Sequence, residues 1–375
     1  MQRAATWSDP VTHLARAVPD APVLYFAPDL LQATARRFRG GFPGLVSYAV
    51  KANSGEEVLA NLGAAGITAF DVASPAEMRA VRAVSGHAVL HYHNPVRSPA
   101  EVAEAVRLGV RVWSVDCPHE LDKLSGAVPP DSEVSVRLAL PVAGAAYDFG
   151  AKFGLGPDGA AALLREVAAR GFTPSLTFHP GTQCADPNAW GAYVAAAARV
   201  ARAADVRLAR LNVGGGFAAH RTGAAPDLGA VFDRIGAEVA RHFPHAPALV
   251  CEPGRAMVAE AVTLGLRVKA LRACGAVFLN DGVYGGLMEC RDIGAPDRIR
   301  VIAPDGTERR GAPVARVVFG PTCDSIDRLP DPLPLPGDME AGDHLLIAGM
   351  GAYTRSLSTG FNGYALRDVV TVARM

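Results

Sequence analysis

The chain has 375 residues, half of them hydrophobic, and its 37 Lys and Arg residues balance 37 Asp and Glu residues. This length suits a large barrel with a smaller companion domain. Zero net charge without a basic block argues against nucleic acid or an anionic membrane as the main partner, and no apolar run reaches the ~18 residues of a membrane span.

Six cysteines are spread along the chain, and none belongs to a C-x-x-C pair. This spacing predicts neither a metal site nor a disulfide framework. The N-terminal stretch MQRAATWSDPVTHLARAV has no long apolar segment of the kind found in a secretory signal peptide. The expected location is therefore a reducing cytoplasm.

The first apolar run, Pro22–Phe26, precedes the repeating part of the chain and is expected to pair with a C-terminal β-domain. Eight strand candidates then alternate with seven helix-like stretches. They are Leu45–Val50, Ile67–Val72, Ala88–Tyr92, Val110–Val115, Val134–Leu138, Ser175–Phe178, Leu208–Val213 and Ala248–Cys251. Strands that alternate with helices predict a parallel sheet, and eight repeats predict closure into a (β/α)8 TIM-like barrel.

After about residue 262 the repeat stops, and Gly and Pro separate four further strand candidates: Thr263–Leu271, Val314–Phe319, Asp343–Ile347 and Val369–Val372. The proline-rich stretch at 329–338 is expected to be an irregular loop, neither a helix nor a central strand. We therefore expect an N-terminal segment (1–27), a barrel (28–261) and a C-terminal β-domain (262–375).

Unusual polar residues and glycines fall at the ends of the predicted barrel strands. They are Lys51 after the first, Asp71 and Glu77 after the second, Arg137 in the fifth, His179 after the sixth, Gly214, Gly215 and Gly216 after the seventh, and Glu252 and Arg255 after the eighth. In a (β/α)8 barrel these ends share one face, where active sites form. Convergence of this many polar residues indicates a site on that rim.

Each of these residues also has a purely structural interpretation. Lys51 could be a solvated loop lysine, but in YAVKAN it could be partly desolvated, which would favour the neutral amine that forms a Schiff base. The run NVGGGF could be a simple turn, but three glycines also let backbone N–H groups approach a phosphate, to which Arg255 could add charge. Glu252 could cap a helix or hold a proton on a ring nitrogen, and His179 could be a core histidine or stack on a flat ring.

The ordered motifs resemble the fold-type III pyridoxal-phosphate decarboxylases, and among them the ornithine decarboxylase-like branch, which also contains lysine and diaminopimelate decarboxylases. The resemblance runs from about residue 20 to the C-terminus. Its motifs are YAVKAN (48–53), FDVASPAE (70–77), KFG (152–154), FHPGTQC (178–184), NVGGGF (212–217), CEPGR (251–255), NDGVYG (280–285), GPTCDSIDR (320–328), GAYT (351–354) and FNGY (361–364).

This resemblance implies an alanine racemase-like barrel with a C-terminal β-domain, and pyridoxal 5'-phosphate as the cofactor. Lys51 would hold the cofactor as a Schiff base, His179 would stack on its ring, and Glu252 would pair with the ring nitrogen. The phosphate would be bound by Gly214, Gly215, Gly216, Thr182, Gly254, Arg255 and Tyr353. Asp71, Glu77 and Arg137 would surround the lysine, ring and histidine.

The resemblance also implies a homodimer with shared active sites, because Cys323 and Asp324 would enter the barrel of the partner subunit. Cys323 would act in the step that protonates the substrate carbon. Asp324 would bind the distal amine of the substrate, and Tyr284 is a further candidate for substrate binding. The implied reaction is the conversion of L-ornithine to putrescine and CO2 in polyamine biosynthesis.

The sequence departs from the family pattern on the phosphate side, where Thr182 can still donate a hydroxyl, and in a second segment that bears on the substrate. HPGTQC has Thr182 where relatives usually carry Ser. The segment GLMECRDIG places Arg291 beside Asp292, where ornithine decarboxylases carry an Asp that meets the distal amine. If Arg291 enters the pocket, it favours a distal carboxylate, as in diaminopimelate, whereas Asp324 favours an amine. Lysine, diaminopimelate or a modified amino acid are therefore alternative substrates, and a non-catalytic binding homologue ranks below them because the motif residues are retained.

Overall fold

The computed structural model describes residues 6–141, 152–366 and 368–375. It divides into two compact units. One holds the chain up to Ala33, Ala219–Ala225 and the chain from Val258 onward, and the other holds Thr34–Ala218 and Pro226–Met257. The domain boundaries expected after residues 27 and 261 stay predictions. Among the described residues, we find no helix that is long and apolar enough to span a membrane.

Three elements precede the barrel: α1 (Pro10–Ala17), β1 (Val23–Phe26) and α2 (Pro28–Gly41). The barrel strands are β2 (Leu45–Ala49), β3 (Ala69–Asp71), β4 (Val89–Tyr92), β5 (Val112–Val115), β6 (Glu133–Leu138), β7 (Thr173–Phe178), β8 (Arg210–Asn212) and β9 (Ala248–Cys251). Each strand pairs in parallel with the next, and β9 pairs with β2 to close the barrel. The predicted (β/α)8 barrel is confirmed.

One helix follows each of the first seven barrel strands. These are α3 (Glu56–Ala64), α4 (Pro75–Val84), α5 (Pro99–Arg107), α6 (Pro118–Leu124), α7 (Pro157–Ala169), α8 (Pro187–Ala204) and α9 (Leu228–His242). Several begin with a polar cap followed by proline, as at Ser74, whose hydroxyl accepts from the N–H of Glu77, and at Ser98, which forms a capping box with Glu101. Because these helix starts lie on the carboxyl side of the strands, the turns that carry the polar residues are anchored.

The other unit contains, besides α1 and β1, further short helices and sheet whose strand pairs are mainly antiparallel. The helices are α10 (Arg255–Val258), which begins in the barrel unit, and α11 (Cys290–Ile293), and the strands are β10 (Val262–Leu271), β11 (Val277–Leu279), β12 (Ile299–Ile302), β13 (Pro313–Arg316), β14 (Val318–Phe319), β15 (Leu333–Pro336), β16 (His344–Ile347) and β17 (Asp368–Thr371). The main sheet runs β12-β16-β10-β1-β17. β1 therefore lies between β10 and β17, which confirms its predicted pairing with the C-terminal β-domain.

Two details of this unit differ from the sequence predictions. The 329–338 stretch is not wholly irregular, because Leu333–Pro336 forms β15 and pairs on one side with β13. Its prolines alternate with Leu333 and Leu335, which keep their N–H groups and bury their side chains, so an edge strand tolerates them. The predicted strand Val314–Phe319 is divided into β13 and β14, which belong to different sheets.

Candidate active site

A cavity of about 210 Å³ opens at the carboxyl ends of the barrel strands. Five residues predicted from the sequence line it: Lys51, Asp71, Arg137, His179 and Glu252. His93 and Asn94 also line it and were not singled out by the sequence analysis, whereas Lys152 and Phe153, which line it too, belong to the KFG motif. The cavity thus combines an amine, carboxylates, imidazoles and a guanidinium at the rim.

Lys51 lies on a 3-10 turn, Val50–Ala52, directly after β2. The buried Tyr48 stabilises this turn, because its hydroxyl donates to the carbonyl of Asn53 at 2.9 Å. The N–H of Ala49 donates to the carbonyl of Pro253 at 3.2 Å, which ties the end of β2 to the residue after Glu252. These contacts bring the lysine and the carboxylate to neighbouring positions on the rim.

His179 follows β7, whose last residue, Phe178, stacks on Tyr193 of α8 with ring centroids 4.6 Å apart. The N–H of Gly181 donates to Nδ1 of His179 at 3.1 Å, so this nitrogen is an acceptor and carries no proton. Burial, followed by the charges of Lys51 and Arg137, lowers the pKa of His179 to about 3. The ring is therefore neutral at physiological pH.

Glu252 follows β9 and is buried in a polar cluster. Its Oε1 atom contacts Nδ1 of His93 and accepts from the side-chain amide of Asn212. Burial by itself raises the pKa of Glu252, but the contacts with His93 and Asn212 outweigh burial and bring the pKa well below its usual value. Glu252 is therefore held as a carboxylate.

Asp71 and Glu77, both predicted from FDVASPAE, have different surroundings. Asp71 ends β3, and burial, followed by the nearby charge of Glu252, raises its pKa to about 7. Glu77 lies on α4, and its carboxylate accepts from the N–H of Ala73 at 2.8 Å. Because Ala73 lines the cavity, Glu77 stabilises the wall of the cavity.

Arg137 is near the end of β6, and its guanidinium lies over the ring of Phe153 at 5.4 Å. Its backbone carbonyl accepts from the N–H of Leu155 at 2.9 Å, which anchors the KFG segment beside β6. Burial lowers the pKa of Arg137, while the charges of Glu252 and Asp71 oppose that shift. Arg137 thus supplies a positive charge to the same wall of the cavity.

The glycine run packs tightly against neighbouring turns. Gly214 has φ +69°, and a Cβ there would lie 2.0 Å from the carbonyl oxygen of Phe178. A Cβ on Gly215 would lie 2.6 Å from the carbonyl oxygen of Glu252 and 3.2 Å from Nε2 of His179. The N–H of Gly214 already donates to Oδ1 of Asn212 at 2.9 Å, so this amide has a partner within the barrel.

The other residues predicted to bind phosphate in this unit lie on adjacent turns. Thr182 is buried on the turn after β7, which is joined to the glycine run by the hydrogen bond from Cys184 N–H to Gly216 O at 2.9 Å. Arg255 is buried at the start of α10. Gly254 precedes it, and a Cβ there would lie 3.1 Å from that of Ala52 in the lysine turn.

Cys323, Asp324 and Tyr284 come together in the other unit. The Tyr284 hydroxyl donates to Oδ2 of Asp324 at 2.6 Å, and the N–H of Cys323 donates to Oδ1 of Asn362 at 3.1 Å. The hydrogen bond from Tyr284 lowers the pKa of Asp324, which favours the carboxylate. Cys323 is exposed.

Three further predicted residues lie elsewhere in that unit. Arg291 and Asp292 are neighbours on α11, form an exposed ion pair at 3.4 Å, and thus partly neutralise each other. Tyr353 adopts the left-handed conformation, with φ +64°. Their predicted roles at the substrate and the phosphate stay predictions.

His93 is the main residue that the sequence analysis missed, and Asn212, although it begins the NVGGGF motif, was given no role there. His93 directly follows β4, and Asn212 ends β8, so both occupy the rim positions that identified Lys51 and His179. Selecting the polar residue that directly follows the strand, as was done for His179, would have found His93 in HYHNP. Its contact with Glu252, 159 residues away, depends on the closed barrel.

The residues of this cavity fit pyridoxal phosphate. Lys51 offers an amine for the aldehyde, Glu252 is an ionised carboxylate suited to a ring nitrogen, and His179 is a neutral flat ring. The cavity that these side chains line also keeps a buried carboxylate oxygen of Asp71 without a hydrogen bond among the described residues, so a polar ligand can be accommodated there.

His91 gives the barrel interior a pH-dependent stability. It is fully buried in β4, and burial, followed by the charges of His93 and Arg210, lowers its pKa from 6.5 to about 3. The unfolded chain therefore binds a proton that the folded chain does not, and stability is lost as the pH falls from 6.5 towards 3. Between pH 7 and pH 5, wild-type apo-protein should lose about 2 kcal/mol more unfolding free energy than His91→Asn in urea denaturation.

His87→Asn, at an exposed position just before β4, is the control for loss of one histidine. Its unfolding free energy should follow the wild-type pH dependence. Parallel pH curves for the wild type and His91→Asn would contradict a protonation difference at His91.

Comparison with known proteins supports the same family. Residues 29–259 match the model of the pyridoxal-dependent decarboxylases, pyridoxal binding domain. The chain is 31% identical to a lysine/ornithine decarboxylase of Selenomonas ruminantium, with 96% of this chain and 91% of that protein covered. It is 32% identical to a chloroplastic ornithine decarboxylase of Nicotiana glutinosa, with 86% and 77% covered.

A solved structure agrees along nearly the whole chain. The lysine/ornithine decarboxylase of Vibrio vulnificus, solved with putrescine, superposes with a TM-score of 0.83 at 25% identity. The superposition covers 98% of this chain and 99% of that one.

Proposed function

The chain belongs to the pyridoxal-dependent decarboxylases, of the ornithine decarboxylase-like kind, and is a pyridoxal-phosphate-dependent carboxy-lyase; we propose that it decarboxylates a basic amino acid, with L-ornithine, which yields putrescine and CO2, as the preferred substrate. The observation that carries the choice of a basic substrate is the carboxylate of Asp324, which Tyr284 orients beside Cys323. A carboxylate in this position matches a distal ammonium group. Lysine, diaminopimelate or a modified amino acid are the alternatives.

The barrel residues bind and orient the cofactor in this proposal. Lys51 provides the amine that joins the cofactor, and the neutral ring of His179 packs against the cofactor ring. Glu252 holds a proton on the ring nitrogen, which is why its low pKa matters. When bound, pyridoxal phosphate supplies the electron sink that accepts the bonding electrons as CO2 leaves.

The phosphate group of the cofactor carries negative charge that must be matched in the protein. We propose that Arg255 supplies the charge and that the glycine run supplies N–H donors, with Thr182 and Tyr353 contributing hydroxyl groups. Among the three glycines, Gly215 and Gly216 are the preferred donors, because the N–H of Gly214 is bonded to Asn212.

Cys323 and Asp324 act on the substrate in this proposal. The thiol of Cys323 donates a proton to the α-carbon after CO2 has left. Asp324 pairs with the distal amine and so penalises substrates that lack one, because the barrel of the partner subunit would bury this carboxylate, and a buried charge without a charged partner is costly.

Shared active sites in a homodimer form part of the proposal. Two apolar side chains near Cys323 or Tyr284 are unusually exposed: 63% of Ile326, three residues after Cys323, and 42% of Phe361 are accessible. Phe361 packs against Tyr284 with centroids 4.8 Å apart, so these residues belong to the surface that carries Asp324. A surface of this kind is typical of one that another chain covers.

The cellular setting follows from the same proposal. None of the six cysteines forms a disulfide within the part of the chain that the structure describes, which favours a reducing cytoplasm. Putrescine is a diamine, so the reaction would serve polyamine biosynthesis.

A panel of L-ornithine, L-lysine, L-arginine and meso-diaminopimelate, scored by CO2 release, tests the proposed substrate. The wild type should act best on ornithine, and Asp324→Ala should lower kcat/KM for ornithine by about 100-fold or more. Asp292→Ala is the matched control, since Asp292 is exposed and paired with Arg291.

Preference for diaminopimelate, lost in Arg291→Ala, would favour the alternative in which Arg291 binds a distal carboxylate. An equal loss for Asp324→Ala and Asp292→Ala would contradict the special role of Asp324. No CO2 release from any basic amino acid would overturn the proposed substrate class.

A further inference from the structure

His93 lies at the base of the cavity, directly after β4, and is 5% exposed. Its Nδ1 atom contacts Oε1 of Glu252 and lies 3.7 Å from Oδ1 of Asp71. Asn212 approaches from β8, and its side-chain nitrogen is 3.1 Å from the same Nδ1. The imidazole is thus packed between the two carboxylates of the site.

The direction of each hydrogen bond follows from the amide of Asn212. Its Oδ1 accepts from the N–H of Gly214 at 2.9 Å, so its Nδ2 is the atom that donates to Oε1 of Glu252. Since Oε1 belongs to a carboxylate, the contact with His93 requires a proton on Nδ1 of the histidine. One oxygen of Glu252 therefore accepts two hydrogen bonds from within the barrel.

The charges around His93 favour its protonated form. Burial lowers its pKa, but the charges of Glu252 and Asp71 outweigh burial, so the pKa of His93 is raised. The titratable and charged groups acting on His93 and its two carboxylate partners are Lys51, Asp71, Glu77, His91, Glu133, Arg137, His179, Cys251 and Glu252, and Arg210 lies 3.4 Å from Glu133. His93 forms a hydrogen-bonded ion pair with Glu252.

We propose that His93 is a positioning residue for the cofactor: it holds Oε1 of Glu252 and the negative charge of this carboxylate, so that the other oxygen serves the cofactor ring nitrogen. The proposal rests on the proposed role of Glu252. Without the imidazole, Glu252 would be a buried carboxylate beside Asp71, and burial together with that second acidic group would favour a protonated Glu252. A protonated Glu252 cannot stabilise a proton on the ring nitrogen.

Cofactor affinity of the apo-protein tests this role without relying on turnover. Apo-protein is titrated with pyridoxal phosphate between pH 6 and pH 8.5, with protein fluorescence as the signal and EDTA present, because Asp71, His93 and Glu252 could also hold a metal ion. His93→Ala should raise the Kd by about tenfold to 100-fold at pH 7.5, since it removes a hydrogen bond to a charged group. The increase in Kd for His93→Ala should become larger as the pH falls, because Glu252 of this variant then takes up a proton.

His93→Asn separates position from charge. The asparagine amide can replace Nδ1–H as a donor but carries no charge, so the Kd at pH 8.5 should lie within about threefold of wild type, a modest residual cost of one substituted hydrogen bond. At pH 6 the Kd of His93→Asn for pyridoxal phosphate should rise to about that of His93→Ala. The matched controls are His91→Ala and His91→Asn at the histidine two residues earlier, which lies on β4, is also buried, and has no hydrogen bond from its ring nitrogens to any described residue.

The controls also distinguish failure of this inference from failure of the proposed site. Glu252→Gln in the same titration should weaken binding, and an unchanged Kd there would overturn the role of Glu252 itself. If Glu252→Gln weakens binding while His93→Ala matches His91→Ala at every pH, then His93 is only a core residue and the inference is wrong. Circular dichroism checks the fold of each variant, and His93→Asn keeps the test decisive if His93→Ala does not fold.

Discussion

Lys51→Ala should lower kcat for decarboxylation by on the order of 1000-fold or more, because it removes the amine that joins the cofactor and exchanges with the substrate. The wild type should be yellow, and its visible absorbance should be absent from the variant. Borohydride treatment of the wild type should attach the cofactor irreversibly to the peptide that contains Lys51. Absorbance, peptide mass and CO2 release measure these three results independently.

Lys152→Ala is the matched control, because Lys152 lines the same cavity and lies 5.0 Å over the ring of Phe153. It should keep the visible absorbance and the borohydride-labelled peptide. Labelling at Lys152, or a Lys51→Ala variant with wild-type colour and turnover, would refute the assignment of the cofactor lysine.

Much of the site could be predicted because strand ends in a (β/α)8 barrel share one face. Lys51, His179 and Glu252 are far apart in sequence, yet each directly follows a strand, and all three line one cavity. The prediction needed only the order of strands and the position of each polar residue after its strand. His93 meets the same criterion and was missed.

Other features depend on three-dimensional packing that no local pattern encodes. The low pKa of Glu252 arises from its contact with His93, which follows β4. The identity of residue 252 alone could therefore not predict its charge state. The carboxylate of Glu77 accepts from the backbone N–H of Ala73, four residues earlier. The position of Glu77 in the motif could not show whether its carboxylate makes this bond or faces the cavity. The hydrogen bond between Tyr284 and Asp324 joins residues 40 apart and required the folded β-unit.

The β-strands after the barrel were harder to predict than those within it. Barrel strands are buried on both sides and give continuous apolar runs, whereas β15 alternates leucine with proline and would ordinarily be excluded. It forms because it is an edge strand, where one row of backbone groups needs no partner. The site and the barrel were thus more predictable than the sheets of the second unit.

Mixing inactive Lys51→Ala and Cys323→Ala subunits should restore about a quarter of wild-type activity, if each active site takes Lys51 from one subunit and Cys323 from the other. After random exchange of equal amounts of the two subunits, about half of the dimers are hybrids. Each hybrid has one complete site out of two, which gives about a quarter of the wild-type number of sites. Each parent alone has no complete site. CO2 release is measured after denaturation and joint refolding, or after slow exchange, with hybrid formation confirmed by native mass spectrometry of differently tagged subunits.

Cys274→Ala mixed with Lys51→Ala is the matched control, since Cys274 is likewise exposed and free but lies outside the predicted motif. Here the Cys274→Ala homodimers are active and the hybrids have one complete site, so activity should reach about half of wild type by the same statistics. For the Cys323→Ala mixture, activity no higher than that of the parents despite proven hybrids would refute shared sites. Full activity of Cys323→Ala alone would instead show that the thiol is not required, and the proton of the product would then have to come from another group.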